Sequence, residues 1–358
     1  MNVNQPQKLK IIHLLFSKGF AGTERSTAES CNAQCETNEV ILVCSNKPER
    51  SSGASILQHI DPRVKVIKIS PRFFLQKNLQ KILDTEQPDV IHAHLRRSTR
   101  VLAKCKTNAV KVSTLHIGIN SDSFLKMDGL IAISPWQMKT IPETYTGEVQ
   151  WIRNSLSPYP TPSNERIRTL KSELKLDPES FIVGGVGRLS YSKGWDTLIK
   201  AFLQLKIDIP ESPTKLVLIG EGRDEEKLRQ LAAQSSDIHF LGYKNNIKDY
   251  YSLFDVFVCP SREEPMGRVI LEALDAGVPV IASDIEGPAD ILSEYPGTLV
   301  PVDDVIALRS ALESALSNKH LQKARPDLSA HYINNVSVSI LSFYVELAEK
   351  KVIHGSRK

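Results

Sequence analysis

The chain has 358 residues, of which 41% are hydrophobic and 24% are charged, and its formal net charge is +4. This composition is typical of a globular protein with apolar cores, and it excludes a disordered chain, a collagen-like repeat and a disulfide scaffold. At roughly 150 residues per domain, the length predicts two domains. No apolar run reaches the ~18–20 residues of a transmembrane helix, and the polar N-terminus lacks the apolar segment of a signal peptide. We therefore expect a cytoplasmic protein.

Short apolar segments alternate with helical segments in the first half of the chain. The predicted strands cover residues 10–16, 40–44, 64–69, 90–93, 112–115, 130–133 and 151–152. Predicted helices among them cover residues 24–35, 74–86 and 98–105. Several strands are near-continuous Val, Ile and Leu, as in parallel strands that are buried on both faces.

The alternation stops at residues 157–162, where prolines at 158, 160 and 162 predict a linker. It then resumes. The second set of predicted strands covers residues 181–186, 215–219, 238–241, 256–259, 278–282 and 298–300. Helices are predicted over residues 195–205, 225–233, 246–253, 268–276, 305–317 and 338–351.

This pattern predicts an α/β protein with two doubly wound, Rossmann-like parallel-sheet domains that face a cleft. The predicted boundaries are 1–157 for the first domain and 158–335 for the second. Residues 336–358 are predicted to form a C-terminal helix that packs back on the first domain.

The two halves of the chain differ in net charge. Residues 1–155 hold 21 basic and 13 acidic residues, whereas the rest of the chain carries a net charge of −4. The five cysteines are scattered and predict reduced thiols, although Cys31 and Cys35, one helical turn apart, leave a metal or redox pair as an alternative. The basic residues of the first half concentrate in the stretch 72–77 and at Arg96, Arg97, Arg100, Lys104, Lys106 and Lys111.

A basic surface of this kind predicts contact with nucleic acid, with anionic lipid headgroups at a membrane or with a phosphorylated acceptor. A solvated face without a partner is the structural alternative. Nucleic acid is disfavoured, because no recognised binding motif or interleaved aromatic platform accompanies the charge.

A glycine-rich turn with two cations follows the first predicted strand of the second half. Gly187 and Arg188 come directly after strand 181–186, and Lys193 precedes a helix that begins near Gly194. A guanidinium fork, an ammonium group and a helix N-terminus together suit a diphosphate. A plain turn with two surface cations is the alternative.

The next strand ends in a second turn of small residues, with Gly220 and Gly222. Neither this turn nor the loop that carries Gly19 and Gly22 matches the Gly-x-Gly-x-x-Gly dinucleotide pattern, and no Gly-Lys-Ser/Thr phosphate loop is present. A dehydrogenase and an NTPase are therefore disfavoured.

Two carboxylates flank the predicted start of the helix after strand 256–259. Glu264 precedes Met266 and Gly267, and Glu272 follows eight residues after Glu264. Both can accept hydrogen bonds from hydroxyl groups of one elongated ligand, and free backbone amides at the helix start add donors. As structural alternatives, Glu264 caps the helix and Glu272 pairs with Arg268.

Taken in order, these segments resemble a retaining glycosyltransferase of family 4, which has the two-domain GT-B fold. The resemblance rests on Gly187-Arg188-Leu189 with Lys193-Gly194, on Gly220-Glu221-Gly222, on Phe240-Leu241-Gly242, and on the pair Glu264 and Glu272. It covers residues 180–300 strongly and the first half more loosely.

The resemblance implies that the domain of residues 1–157 binds the acceptor and that the domain of residues 158–335 binds the nucleotide-sugar donor. Arg188 and Lys193 would bind the diphosphate of a nucleotide sugar. Glu272 would bind the ribose hydroxyls. Glu264, together with the backbone amides of Met266 and Gly267, would hold the hydroxyl groups of the sugar. The turn with Gly187 and the turn with Gly220 and Gly222 would lie against the donor.

In the first half, the resemblance places the loop with Gly19 and Gly22 against the phosphates and the acceptor, and His116 near the donor sugar. An ordinary strand-end histidine is the alternative for His116, and His92 and His94 are interpreted as structural.

Two departures from the family pattern weaken the assignment of the family's residue roles to this chain. Pro265 and Met266 stand where many relatives have Gly and Phe, which removes one backbone donor and leaves the donor sugar open. Thr23-Glu24 also departs from the glycine-loop pattern.

The resemblance implies a retaining hexosyltransferase that uses a nucleotide-diphosphate sugar, first of all a UDP-sugar. The acceptor would be a saccharide or lipid-linked saccharide in cell-surface polysaccharide or lipopolysaccharide synthesis. Because no carboxylate stands where a nucleophile is expected, the predicted mechanism is front-face displacement. The chain has no Asp-x-Asp motif, so neither a metal nor another cofactor is predicted. The alternatives are a nucleotide-sugar epimerase on the same fold and a non-catalytic membrane-surface binding subunit.

Overall fold

The computed structural model describes residues 8–49, 53–70, 74–158, 162–318 and 325–355. The chain divides into two compact units. One comprises Met1–Ser157 together with Ser329–Lys358, and the other comprises Pro158–Leu328. Each unit contains one parallel sheet with flanking helices, so the predicted fold class is confirmed.

The first unit is built on a seven-stranded sheet with the order β3-β2-β1-β4-β5-β6-β7. Its strands are β1 (Lys10–Leu15), β2 (Glu39–Ser45), β3 (Lys65–Ile69), β4 (Val90–His94), β5 (Val110–Leu115), β6 (Gly129–Ala132) and β7 (Glu148–Trp151). The helices between them are α1 (Gly22–Gln34), α2 (Leu75–Glu86), α3 (Leu95–Leu102) and α4 (Pro135–Met138). The central strands are mostly buried, and β4 is buried along its whole length, because helices cover both faces of the sheet. Among their apolar residues they carry the buried side chains of His13, His92 and His94.

The second unit contains a six-stranded sheet with the order β10-β9-β8-β11-β12-β13. Its strands are β8 (Phe181–Val186), β9 (Thr214–Ile219), β10 (Ile238–Phe240), β11 (Val256–Cys259), β12 (Val280–Ser283) and β13 (Thr298–Val300). Its helices are α5 (Asn164–Glu173), α6 (Trp195–Asp208), α7 (Glu225–Ala232), α8 (Ile247–Tyr251), α9 (Arg268–Asp275), α10 (Glu286–Leu292) and α11 (Val305–Ser317).

The last helix, α12 (Ile333–Gly355), belongs to the first unit although it follows the second in the chain. It packs against α1 and β5. The Tyr344 hydroxyl hydrogen-bonds His92 inside the first unit, and the Lys351 ammonium bonds the carboxylate of Asp128. The second unit ends at Leu328, seven residues before the predicted boundary at 335.

Several element boundaries differ from the sequence predictions for local reasons. α3 starts at Leu95 rather than at residue 98, because Leu95 adopts a positive φ of 67° and turns the chain directly out of β4. α10 was not predicted, since it contains Gly287 and Pro288. Proline is tolerated there because the first-turn amides of a helix have no intrahelical partner.

Each sheet has one point at which the strand order reverses direction, between β1 and β4 in the first and between β8 and β11 in the second. In open parallel sheets, the loops at the carboxyl ends of such strands diverge and leave a crevice that binds ligands. Among the described residues, no helix is both long and apolar enough to cross a bilayer.

Candidate active site

The donor-side candidates follow two neighbouring strands of the second unit. β8 pairs with β11 in parallel, so the loops 187–194 and 260–267 leave the same edge of the sheet. That edge carries the point of strand reversal, where ligands bind in this type of fold. Arg188, Lys193 and Glu264 therefore belong to one region of the second unit.

Lys193 and Glu264 form an ion pair. Nζ of Lys193 lies 2.6 Å from Oε2 of Glu264, and both side chains are partly exposed. Oε1 of Glu264 accepts a hydrogen bond from the backbone amide of Gly267 at 3.2 Å. The carboxylate thus links Lys193 to the start of α9 and caps that helix, as the structural alternative foresaw.

Arg188 has a different environment. Its side chain is exposed, and no carboxylate of the described residues pairs with its guanidinium. Its backbone carbonyl accepts a hydrogen bond from Nε1 of Trp195 at 2.8 Å, which fixes the main chain beneath it. An unpaired guanidinium on a fixed backbone is suited to an anionic ligand.

Glu272 lies in α9 and is buried. Oε1 accepts a hydrogen bond from Nε of Arg268 at 3.1 Å, and Oε2 accepts one from the hydroxyl of Tyr251 at 3.0 Å. The pairing with Arg268 is the structural alternative considered from the sequence. These two bonds hold the Glu272 carboxylate in one orientation.

The glycines near these side chains let loops pack closely against one another. A Cβ on Gly220 would overlap the carbonyl oxygen of Gly187, and one on Gly222 would overlap that of Leu189. Gly194, at φ 64°, similarly faces the carbonyl oxygen of Pro260. These close approaches require glycine whether or not a ligand binds.

Met266 is 5% exposed, and its backbone nitrogen lies against Gly287. Gly267 has a φ of 87° and precedes the first residue of α9. Of the two amides predicted to hold the sugar, that of Gly267 already donates to Glu264.

Arg262 is a site residue that sequence reasoning missed. Its guanidinium bonds both carboxylate oxygens of Asp196 at 2.8 and 2.9 Å, as well as Oδ2 of Asp303 at 2.9 Å. It also donates to the carbonyl of Tyr191 at 2.6 Å, while its backbone amide donates to the carbonyl of Ser192 at 2.9 Å. Arg262 therefore fastens the turn that presents Lys193 to the loop that presents Glu264, and its bonds lower the pKa of Asp303.

Gly19 and Gly22 lie in the loop between β1 and α1. Gly19 has a φ of 92°, and its amide donates to the carbonyl of Pro48 at 2.7 Å. Gly22 begins α1, and no atom would touch a Cβ placed on it. Glu24 caps the helix through a 3.0 Å bond from the amide of Ala21, so the departure at Thr23-Glu24 still produces a normal helix start.

His116 follows β5 and belongs to a layer of four histidines. Its Nε2 lies 3.3 Å from Nδ1 of His94, and Nε2 of His94 lies 3.0 Å from Nδ1 of His13. His92 hydrogen-bonds Tyr344 at 2.6 Å and Thr114 at 2.7 Å. Burial disfavours the charged imidazolium and lowers the pKa of His13 and of His116 to about 4.

Residues 166–335 match the family model described as glycosyl transferases group 1. The chain is 28% identical over 322 residues to the lipopolysaccharide core biosynthesis glycosyltransferase LpsD of Rhizobium meliloti, covering 85% of this chain and 87% of that protein. It is 24% identical to LpsE of the same organism over 88% of this chain and 91% of that protein.

The chain has the GT-B fold and is similar to glycosyltransferases over most of its length.

Solved structures share its fold. A glycosyltransferase from Rickettsia africae superposes with a TM-score of 0.77 at 19% identity, covering 95% of this chain and 98% of that one. Anabaena HepE in complex with UDP and glucose superposes with a TM-score of 0.72 at 21% identity, covering 98% of this chain and all of that one.

One group of side chains in the first unit has the composition of a metal site. His13, His92 and His94 offer nitrogens within 4.8 Å of one another, and it is the one such group found in the described part of the chain. All six of their ring nitrogens already have hydrogen-bond partners. At least two of these bonds would have to break to free one nitrogen of each histidine, so the observed arrangement is that of a hydrogen-bond network.

The basic surface of the first unit includes a pocket of about 310 Å³ between α2 and α3. Its lining residues are Leu75, Gln76, Arg97, Arg100, Val101 and Lys104. Phe74, at the start of α2, is 75% exposed beside it. Arg72 and Phe73 of the predicted basic stretch lie outside the described residues, and Lys111 instead bonds the carbonyl of Cys105.

Proposed function

We propose that the chain is a retaining glycosyltransferase of family 4 that transfers a hexose from a UDP-sugar to a saccharide or lipid-linked acceptor. The observation that carries the proposal is the Lys193–Glu264 pair beside the unpaired guanidinium of Arg188, at the reversal point of the second sheet. The names of LpsD and LpsE are the reason to propose lipopolysaccharide core synthesis. The complexes of HepE with UDP and with UDP-glucose are the reason to propose UDP.

In the proposed mechanism, the bond between the anomeric carbon and the diphosphate breaks as the acceptor oxygen attacks from the same face. The departing diphosphate oxygen takes the acceptor proton, so no protein nucleophile is needed. Arg188 and Lys193 stabilise the negative charge that grows on the diphosphate. Two protein cations supply the charge that a divalent ion supplies elsewhere, and we propose that the reaction needs no metal.

The ion pair between Lys193 and Glu264 has a specific role in this scheme. Before donor binds, each group neutralises the other. We propose that the diphosphate takes over the ammonium of Lys193, which leaves Glu264 able to accept hydrogen bonds from sugar hydroxyls while Gly267 still holds its Oε1. Glu272 binds the ribose, held in place by Arg268 and Tyr251.

For the first unit, we propose that Gly19 and Gly22 approach the phosphates and the acceptor, and that His116 contacts the donor sugar. The exposed cations Arg97, Arg100 and Lys104 would hold the chain at the inner face of the cytoplasmic membrane. Vesicles with anionic lipid should retain the protein at low salt and release it at high salt. Equal retention on neutral vesicles would contradict this placement.

Nucleotide binding tests the proposal directly. Calorimetry with UDP, GDP, ADP and their common sugars should show selective binding of the UDP compounds. Glu272→Gln should weaken that binding by about tenfold or more, because a charged acceptor for hydroxyl donors is lost. Glu263→Gln is the matched control, since Glu263 is an exposed neighbour of Glu264. A folded protein that binds none of these nucleotides would contradict the proposed donor site.

Transfer itself needs a second measurement. Product analysis with UDP-sugars and lipopolysaccharide core acceptors should give a new glycoside with the anomeric configuration of the donor. Inversion at that carbon would overturn the retaining assignment. Conversion of the sugar without any acceptor would instead indicate an epimerase.

A further inference from the structure

Four side chains of the first unit are joined end to end by hydrogen bonds. Oε1 of Gln34 lies 2.9 Å from Nε2 of His13, and Nδ1 of His13 lies 3.0 Å from Nε2 of His94. Nδ1 of His94 then lies 3.3 Å from Nε2 of His116. We call this series, Gln34–His13–His94–His116, the histidine file.

The file is almost entirely enclosed. Gln34, His13 and His94 are at most 3% exposed, and only His116 is partly exposed. Burial lowers the pKa of all three histidines, so each ring is neutral at neutral pH and carries one proton. In a neutral ring, one nitrogen donates and the other accepts.

Gln34 sets the direction of the bonds. Its Oε1 can only accept, so His13 must carry its proton on Nε2 and present a bare Nδ1. His94 must then donate from Nε2 to that Nδ1, and His116 must donate from Nε2 to the bare Nδ1 of His94. By this sequence of constraints, the proton of His116 resides on Nε2.

Nε2 of Gln34 is buried and makes no hydrogen bond with a described residue, so the bond to His13 through Oε1 is what holds the amide in the file. His92, which bonds Tyr344 and Thr114, lies beside the file but is not part of it.

We propose that Gln34, His13 and His94 are positioning residues that fix His116 in the Nε2–H tautomer and leave its Nδ1 as a hydrogen-bond acceptor. Among the described residues, Nδ1 of His116 has no partner. A bare imidazole nitrogen recognises a hydroxyl group and disfavours a phosphate oxygen, which offers no proton. This inference rests on the proposed function for its ligand, which is then a hydroxyl of the donor sugar rather than the diphosphate.

Nitrogen NMR of the full-length protein labelled with ¹⁵N-histidine tests the tautomer without any substrate. A protonated ring nitrogen and a bare one have well-separated ¹⁵N shifts, and the His116 signals are identified by their loss in His116→Asn. We expect a bare Nδ1 and a protonated Nε2 in the wild-type protein. A protonated Nδ1 on His116 would overturn the proposal, and so would a charged ring at neutral pH.

His94→Phe tests whether the file imposes the tautomer. Phenylalanine keeps an aromatic ring in the layer but removes the acceptor for His116, so the two tautomers should interconvert and both ¹⁵N shifts should move toward an average. Thr114→Val is the matched control, because it removes a buried hydroxyl that bonds His92 outside the file. Unchanged His116 shifts in His94→Phe, or an equal change in Thr114→Val, would overturn the proposal.

Turnover separates this inference from the proposed function. In His94→Phe, transfer should fall by about 10- to 100-fold, the range for partners that orient metal-binding histidines, while UDP binding by calorimetry stays within about twofold. A wild-type protein that transfers no sugar would contradict the proposed function, whereas the NMR spectra would still decide the tautomer.

Discussion

Arg188 and Lys193 lie five positions apart, yet they differ in what they do before a ligand arrives. The Lys193 ammonium is neutralised by Glu264 at 2.6 Å, whereas the Arg188 guanidinium is exposed and without a carboxylate among the described residues. Replacement of Lys193 would therefore leave the negative charge of Glu264 without its counter-charge. Replacement of Arg188 would leave no carboxylate of the described residues without a partner. Arg188 is the better position for measuring the effect of one cation on the reaction.

We expect Arg188→Ala to lower turnover by about 10²-fold, the effect of removing one group that stabilises transition-state charge. Its free energy of unfolding should stay within about 0.5 kcal/mol of the wild-type value, since the side chain is exposed. Steady-state kinetics and urea unfolding measure the two quantities. Arg188→Lys is the control, and it should recover part of the turnover because it restores the charge but not the planar fork. Wild-type turnover in Arg188→Ala would refute this role.

Residue identity was more predictable than residue environment. The spacing of Glu264 and Glu272 indicated both as candidate site residues. The pairing of Glu272 with Arg268 could be predicted because Arg268 lies one helical turn earlier. Tyr251 could not, since it reaches Glu272 from α8, 21 positions earlier in the chain. Its sequence neighbourhood contains no sign of that contact.

At the scale of elements, Arg262 joins two loops through carboxylates from distant parts of the chain. Asp196 lies in the first turn of α6, and Asp303 follows β13. The Arg262 side chain is 12% exposed, while the two acidic side chains are 31% and 46% exposed. In solvent exposure, this network of ion pairs is intermediate between a surface ion pair and a buried one.

We expect Arg262→Gln to lower the free energy of unfolding by about 1–2 kcal/mol, between the effects typical of exposed and buried pairs. Because Lys193 then loses its fixed position, UDP affinity should also fall. The control is Arg166→Gln: Arg166 has two carboxylate partners, but at 3.8 and 3.5 Å and on an exposed side chain. Urea unfolding and calorimetry should separate the two variants, and equal effects would refute the role of Arg262.

The close packing of the turn at Gly220 against the turn at Gly187 gives a further prediction. Gly220→Ala places a methyl group against the carbonyl of Gly187 at a φ of 140°, whereas Gly242→Ala meets no atom and has only a φ of 66° to overcome. We expect Gly242→Ala to cost about 1–2 kcal/mol of stability and Gly220→Ala to cost more. Thermal unfolding of both variants measures the difference. A smaller loss in Gly220→Ala would show that the turns do not pack as described.

Most of the elements could be predicted because buried parallel strands have an unmistakable apolar pattern. α3 and α10 show where that approach fails. The early start of α3 depends on the positive φ of Leu95, and α10 contains Gly287 and Pro288, which are helix-breaking residues anywhere beyond the first turn. Backbone geometry of this kind has no local signal in the sequence.

At the scale of the whole molecule, the four buried or partly buried histidines make the stability of the first unit depend on pH. Each ring is neutral when folded, with pKa values near 4 for His13 and His116 against 6.5 for an unperturbed histidine. Between pH 6.5 and about 4, the unfolded chain binds protons that the folded chain does not. Stability therefore falls as the pH is lowered through this window and is independent of these groups above it.

We expect each such histidine to add about 1.4 kcal/mol per pH unit to the slope within the window. Hydrogen exchange resolved by peptide should show β1, β4 and β5 losing protection more steeply below pH 6.5 than β8 and β9. His116→Gln serves as the comparison, because it removes one titrating group and should make the slope shallower. A first unit whose protection does not change between pH 7 and 5 would contradict the buried, neutral state of the histidines.

The discontinuity of the first unit affects how the chain is made. α12 supplies Tyr344 to the histidine layer, but residues 158–332 are synthesised between β7 and α12. At ~5–20 residues per second, translation leaves the surface of α1 and β5 without its cover for roughly 10–35 s. During that interval His92 lacks its tyrosine partner and apolar residues of the sheet face water. A nascent chain is therefore most prone to aggregation while the second unit is being synthesised. A chain truncated before α12 would have a first unit that lacks the helix covering α1 and β5.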